Sequence, residues 1–174
     1  MTTVTSHHRI RRQQLILQAE GYLELGMPRH ALDVLASCGS EETLPDHALF
    51  LRGEAHRALG QFQEALAPLK RAAASDPQNI NVWLSLGWCY KRTGRLDLAI
   101  ESLQEALSAE PNDALLQYNL ACYWSLAGNK RQALAFLSRA LAIDPDFRDA
   151  VGREPDFDAI RSDPAFQALT SVIV

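Results

Sequence analysis

The sequence predicts an all-α protein, an α-solenoid built from antiparallel helix pairs. Two features lead to this prediction: single residue types recur every 34 positions, and the apolar residues between them follow helical spacing. Four of the nine glycines fall in one column of this period. The recurring columns are Gly26, Gly60, Gly94 and Gly128; Ala31, Ala65, Ala99 and Ala133; Leu35, Leu69, Leu103 and Leu137; Ala72, Ala106 and Ala140; and Pro77, Pro111 and Pro145.

The period divides most of the chain into four units, 12–45, 46–79, 80–113 and 114–147. The glycine of each unit is expected to end a first helix, because glycine adopts the left-handed conformation that caps a helix C-terminus. In the last three units the proline ends a second helix, since it cannot continue the helical hydrogen-bond ladder. Small residues let the two helices approach closely. On the first helices these residues are Ala19, Gly53, Gly87 and Ala121.

The two ends of the chain flank these units. One long first helix is expected over 8–25, and it should stop before Pro28. Residues 148–174 are predicted to form capping helices that cover the exposed edge of the fourth unit. Asp163 and Pro164 suit a helix start, with the aspartate as N-cap and the proline in the first turn. The apolar side chains available for this cover are Phe157, Ile160, Phe166 and Leu169.

The repeated unit resembles the tetratricopeptide repeat over residues 12–147. The third unit carries the whole family pattern, and the fourth carries most of it. The second unit departs from the pattern at Arg52 and His56, and the first departs at Gln18 and Thr43. The resemblance implies a right-handed superhelix with a concave groove. The matching residues of the third unit are Trp83, Leu86, Gly87, Tyr90, Ala99, Leu103, Ala106 and Pro111.

Charge and composition exclude several classes of protein. The chain has 17 lysines and arginines against 21 aspartates and glutamates, so it lacks the strongly basic character of nucleic-acid-binding domains. It contains no apolar run long enough to span a membrane and no secretory signal at its start. Cys38, Cys89 and Cys122 have no metal-ligand spacing, and they indicate small buried residues in a reducing compartment. A cytoplasmic location is therefore expected.

The basic residues near the N-terminus allow two interpretations. Residues 1–11 form either a basic arm or the solvated start of the first helix, and the second interpretation is the simpler. The basic side chains here are His7, His8, Arg9 and Arg11, and Arg12 follows them.

The sequence gives no reason to expect an enzyme, a cofactor or a metal site. No nucleophile, zinc-protease or phosphate-loop motif is present. His47 and His56 are nine positions apart on one predicted helix, too far to share a metal. The acidic run of Glu154, Asp156 and Asp158 lacks the ligand set of a calcium loop, so a solvated loop with helix-capping carboxylates is favoured over a cation site.

The tetratricopeptide resemblance implies a binding surface, because the first helices of that family line the concave groove that receives a partner peptide or helix. Trp88 is the most informative groove position, and the sequence leaves open whether it is exposed or covered by the chain itself. The groove does not supply the cationic cluster with which some family members clamp a peptide carboxylate. By the family register, the groove positions are Phe50, Glu54, Arg57, Asn81, Leu84, Ser85, Trp88, Lys91, Tyr118, Asn119, Cys122 and Ser125.

These features predict a scaffold or adaptor for protein–protein interaction. The expected partner is a protein or peptide with apolar side chains, with no nucleic acid and no membrane span involved. The alternative is a chaperone that holds a secreted or membrane-associated substrate protein in the same groove. Whether copies of the chain also join into a homo-oligomer stays open.

Overall fold

A computed structural model describes residues 2–40 and 43–171. Met1 and the side chains of residues 2–7 from the predicted arm, and residues 172–174 of the predicted cap, lie outside the described part. The described helices are α1 (Thr2–Glu24), α2 (Pro28–Ala36), α3 (Asp46–Ala58), α4 (Phe62–Ser75), α5 (Ile80–Arg92), α6 (Leu96–Ala109), α7 (Ala114–Leu126), α8 (Lys130–Ile143), α9 (Phe147–Val151) and α10 (Pro164–Thr170). A short 3-10 turn, Pro155–Phe157, lies between α9 and α10.

The first eight helices form four consecutive pairs, α1 with α2, α3 with α4, α5 with α6 and α7 with α8. Contacts between α2 and α3, α4 and α5, and α6 and α7 then join each pair to the next. The predicted all-α class of stacked helix pairs is confirmed. Within the described residues, no helix combines the length and the hydropathy that crossing a membrane requires.

The glycine column ends the first helices as expected. The four glycines have φ angles of 69°, 73°, 76° and 73° in chain order, in the left-handed region that favours glycine. After α3, the Gln61 amide donates to the His56 carbonyl at 2.9 Å, and after α5 the Arg95 amide donates to the Tyr90 carbonyl at 2.9 Å. These bonds satisfy carbonyls at the helix ends and turn the chain sharply into the second helix of each pair.

Small residues on the first helices pack directly under the leucine column of the second helices. A Cβ atom at Gly53 would lie 2.4 Å from the Leu69 Cγ atom, and one at Gly87 would lie 3.3 Å from the Leu103 Cγ atom. Both leucines are fully buried. The two helices of a pair therefore approach each other closely because a side chain is missing at these positions.

A polar bond repeats with the same period between neighbouring units. The Trp83 indole Nε1 donates to the Pro77 carbonyl at 2.9 Å, and the Gln117 Nε2 donates to the Pro111 carbonyl at 3.0 Å. Trp83 and Gln117 are 34 positions apart, as are the two prolines. Each bond ties a first helix to the proline that ends the preceding unit, so it helps to fix the angle between successive pairs.

The C-terminal segment packs on the fourth pair in two directions. Phe157, Ile160 and Phe166 are buried, and Asp163 accepts the expected capping bond from the Ala165 amide at 2.9 Å. Helices α9 and α10 contact α8 at the edge of the stack. The 3-10 turn between them instead contacts α7. The segment therefore covers part of the wall of α7 in addition to the predicted edge.

The close approach at Gly53 gives a test of the packing. We expect Gly53→Ala to lower the thermal midpoint of unfolding, because crowding against Leu69 costs about 1–3 kcal/mol and outweighs the gain of about 1 kcal/mol in helix propensity. Gly21→Ala is the matched control, since Gly21 lies inside α1 with no neighbouring atom within 4 Å of an added Cβ. That variant should raise the midpoint. Equal increases in both variants, measured by circular dichroism, would contradict the packing described here.

Candidate functional site

The candidate site is a concave pocket whose wall is formed by three first helices, α3, α5 and α7. It is open to solvent and combines apolar side chains with a few polar ones. The lining residues are Phe50, Glu54 and Arg57 from α3; Asn81, Leu84, Ser85 and Trp88 from α5; and Leu115, Asn119 and Tyr123 from α7.

Most of the residues that the sequence placed on the groove meet in this pocket. They are Phe50, Glu54, Arg57, Asn81, Leu84, Ser85, Trp88 and Asn119. The pocket also contains Leu115 and Tyr123, which were not predicted. Leu115 occupies the same repeat position as Asn81, so the period alone was sufficient to find it. Tyr123 lies next to the column expected to pack between helices, and no sequence signal distinguished it.

The apolar part of the pocket is accessible. Trp88 keeps 39% of its surface exposed and Leu115 keeps 45%, so the alternative in which Trp88 is covered by the chain does not hold. Phe50 and Leu84 are half-buried beside them. Exposed aromatic and leucine side chains on a concave wall lose unfavourable water contact when a partner covers them.

The charges of the pocket neutralise one another. The Arg57 guanidinium donates from Nε to Glu54 Oε1 at 2.9 Å and from Nη2 to Glu54 Oε2 at 2.7 Å. The bond to Glu54 raises the pKa of Arg57. The side-chain amides of Asn81 and Asn119, also in the pocket, can donate to or accept from a partner backbone. The pocket therefore has no net charge with which to select a strongly charged ligand.

Three predicted groove residues do not face an open groove: Tyr118, Cys122 and Ser125 are 6%, 2% and 1% exposed. The Tyr118 ring lies against Phe147 and Phe157, with centroids 4.9 and 5.9 Å apart, so the C-terminal segment covers it. Cys122 is covered by the same segment, because its thiol lies beside the Glu154 and Asp156 carboxylates. The prediction is wrong for Tyr118 and Cys122 because the chain itself covers them, and it is wrong for Ser125 because that side chain is buried.

A cluster of polar side chains joins α5, α7 and the 3-10 turn. The Cys122 thiol and the carboxylates of Glu154 and Asp156 lie within 4.8 Å of one another. Lys91, also a predicted groove residue, forms an ion pair with Asp156 in which both side chains are mostly buried. Burial raises the pKa of the Cys122 thiol, so it keeps its proton. The cluster is thus accounted for by an ion pair beside a neutral thiol, and Asp156 does not lie in the solvated loop that the sequence favoured.

Lys91 connects this cluster to the open pocket. Its ammonium group lies 5.5 Å from the centroid of the Trp88 ring and 5.4 Å from that of Tyr123. Both rings line the pocket. One cation therefore contacts two pocket aromatics through their π faces and a carboxylate of the C-terminal segment.

Comparisons with known proteins agree with this architecture. Two family models described as tetratricopeptide repeat match residues 17–80 and 56–121. No protein of curated function has a matching sequence.

Similar solved structures include a MamA structure, with 22% identity and a TM-score of 0.73 over 80% of this chain and 81% of that one. MamA from Desulfovibrio magneticus RS-1 has 20% identity and a TM-score of 0.73 over 91% of this chain and 93% of that one. YrrB, described as a TPR protein with an unusual peptide-binding site, has 23% identity and a TM-score of 0.70 over 78% of this chain and 70% of that one. At these identities the likeness establishes the fold.

The buried thiol of Cys89, on α5 behind the pocket, predicts a dependence of stability on pH. Burial is the main cause that raises the pKa of Cys89 from its ordinary value of 9.0 to about 11. The folded state thus favours the neutral thiol, so this contribution to stability is complete below pH 9 and is lost as the pH rises towards 11. We expect the difference in unfolding free energy between the native chain and Cys89→Ala to narrow between pH 9 and pH 11.

Urea titrations at several pH values measure this difference. If this difference in unfolding free energy stays constant or widens over this range, the thiol ionises at least as easily in the folded chain as in the unfolded one, and the prediction is wrong.

Proposed function

The chain is a tetratricopeptide repeat protein, and we propose that it is a scaffold or adaptor that binds a peptide or a helix of a partner protein in its concave pocket. Tetratricopeptide domains generally mediate protein–protein interactions and are typically non-enzymatic. The observation that carries the proposal is the set of accessible apolar side chains on the wall formed by α3, α5 and α7. A cytoplasmic location stays a prediction.

The pocket favours a partner segment with apolar side chains. Trp88 and Leu115 are exposed on α5 and α7, two successive helices of the wall, where one segment of a partner can contact both. Tryptophan is over-represented among the residues that dominate binding energy, especially where neighbouring groups exclude water. The Arg57–Glu54 pair leaves little unbalanced charge. The main favourable contribution to binding is therefore burial of apolar surface. The side-chain amides of Asn81 and Asn119 can add hydrogen bonds to the main chain of the partner.

Substitution of two equally exposed leucines of α7, one inside the pocket and one outside it, tests the groove proposal. Leu115 lines the pocket and Leu126 does not, and each is 45% exposed. We expect Leu115→Ala to weaken capture of the partners that the native chain retains from a cell extract, because it removes a contact on the wall. Leu126→Ala should leave capture unchanged, since it removes the same atoms from a surface outside the pocket.

Trp88→Ala should have the larger effect, a loss of about 2 kcal/mol or roughly thirtyfold in Kd. The measurement is quantitative mass spectrometry of the retained proteins, with thermal unfolding of each variant as a check of folding. If Leu126→Ala reduced capture as much as Leu115→Ala and Trp88→Ala did, the binding surface would lie outside the pocket and the proposal would fail.

A further inference from the structure

The chain places a segment of its own on the wall of α7, next to the open pocket. This segment, here called the inner turn, comprises residues 154–158 and includes the 3-10 turn Pro155–Phe157. Its Phe157 side chain is fully buried, with its ring centroid 5.9 Å from that of Tyr118 in a T-shaped arrangement and 5.5 Å from that of Phe166 of α10. Its Asp156 carboxylate is paired with Lys91 on α5. The inner turn therefore bridges two of the three helices that form the wall.

The inner turn interrupts a fifth unit. Helix α10 begins 34 positions after α8, and α9 begins close to 34 positions after α7, so both continue the repeat. A first helix in this register would run on to about residue 160, as α7 does over thirteen residues. It stops instead at Val151, because Gly152 follows and Pro155 forces Glu154 into an extended conformation with ψ of 113°. The chain then bends onto the wall.

The surface beneath the inner turn has a defined chemistry. Lys91 supplies a cation that pairs with a carboxylate. Tyr118 supplies an aromatic ring against which the ring of the next residue in the bound segment packs. Because Lys91 also contacts Trp88 and Tyr123, the carboxylate position adjoins the open pocket. A partner segment lying in the pocket can thus continue onto this surface if the inner turn leaves it.

We propose that the inner turn occupies a surface that a partner segment binds after displacing it. The partner segment then carries an acidic residue directly followed by an aromatic one, in the same order as Asp156 and Phe157. This inference deepens the proposed function and rests on it. When such a segment displaces the inner turn, its carboxylate pairs with Lys91 and its ring packs on Tyr118. The binding surface then extends from the open pocket onto Tyr118 and Cys122 of α7.

A charge reversal tests this proposal in the full-length chain. In Asp156→Lys the inner turn is repelled by Lys91, so the surface opens. A dye-labelled peptide of residues 152–160, followed by fluorescence anisotropy, should bind this variant at least roughly tenfold more tightly than it binds the native chain, where the inner turn competes at a millimolar effective concentration. The double variant Lys91→Asp/Asp156→Lys restores the ion pair in reverse. It should return binding to the native level, because the introduced aspartate repels the acidic peptide.

Cys122 reports the position of the inner turn without any ligand. It is 2% exposed and lies against Glu154 and Asp156, whereas Cys89 is fully buried elsewhere on the wall. In Asp156→Lys, the rate of alkylation by iodoacetamide at Cys122 should rise about tenfold and that at Cys89 should not change, since only a local opening is involved. Adding the peptide should protect Cys122 again. A peptide with alanine in place of the phenylalanine should neither bind nor protect.

The two cysteines distinguish displacement of the inner turn from unfolding of the chain. If Cys89 also becomes reactive, Asp156→Lys has unfolded the chain, and the isosteric Asp156→Asn variant supplies the same comparison. If Cys122 stays protected in the folded variant and the peptide does not bind, the inner turn is a permanent part of the fold and the proposal is overturned. Peptide binding and alkylation are both measured without the partner whose capture the Leu115→Ala experiment follows. A failure of the inner-turn proposal is therefore distinguishable from a failure of the proposed function.

Discussion

The structure depends on the close approach of two helices within each unit. Leu69 and Leu103 fill the space that the missing side chains of Gly53 and Gly87 leave. This contact fixes the separation of the helices, and the glycine at the end of each first helix fixes the turn between them. Because both features recur every 34 residues, the pairs stack in one direction and their first helices form a continuous wall.

The wall serves two kinds of contact, one with solvent and one with the chain itself. Over α3, α5 and one stripe of α7 it lines the open pocket, where Trp88 and Leu115 are exposed beside a neutralised ion pair. On the adjacent stripe of α7, at Tyr118 and Cys122, it is covered by the inner turn. Repeat periodicity explains the existence of the wall, whereas the interruption at Gly152 and Pro155 explains why only part of it is open.

The sequence was sufficient for the fold and for most of the pocket, because both follow from positions within the period. It failed at Tyr118 and Cys122, which occupy groove positions by register and are covered. Their burial depends on where a segment more than thirty residues downstream folds, and neither local pattern nor period encodes that contact. For the same reason Asp156 was interpreted as solvated, although its partner Lys91 lies 65 residues away.

Oxidative footprinting of the chain with and without a captured partner tests whether the partner binds in the pocket, because it measures which side chains a bound protein covers. We expect Trp88 and Leu115 to become protected, while the exposed side chains of Leu126 and Ile143, outside the pocket, react at an unchanged rate. Protection of Leu126 and Ile143 with no change at Trp88 would contradict the account, since it would place the partner on another face of the stack.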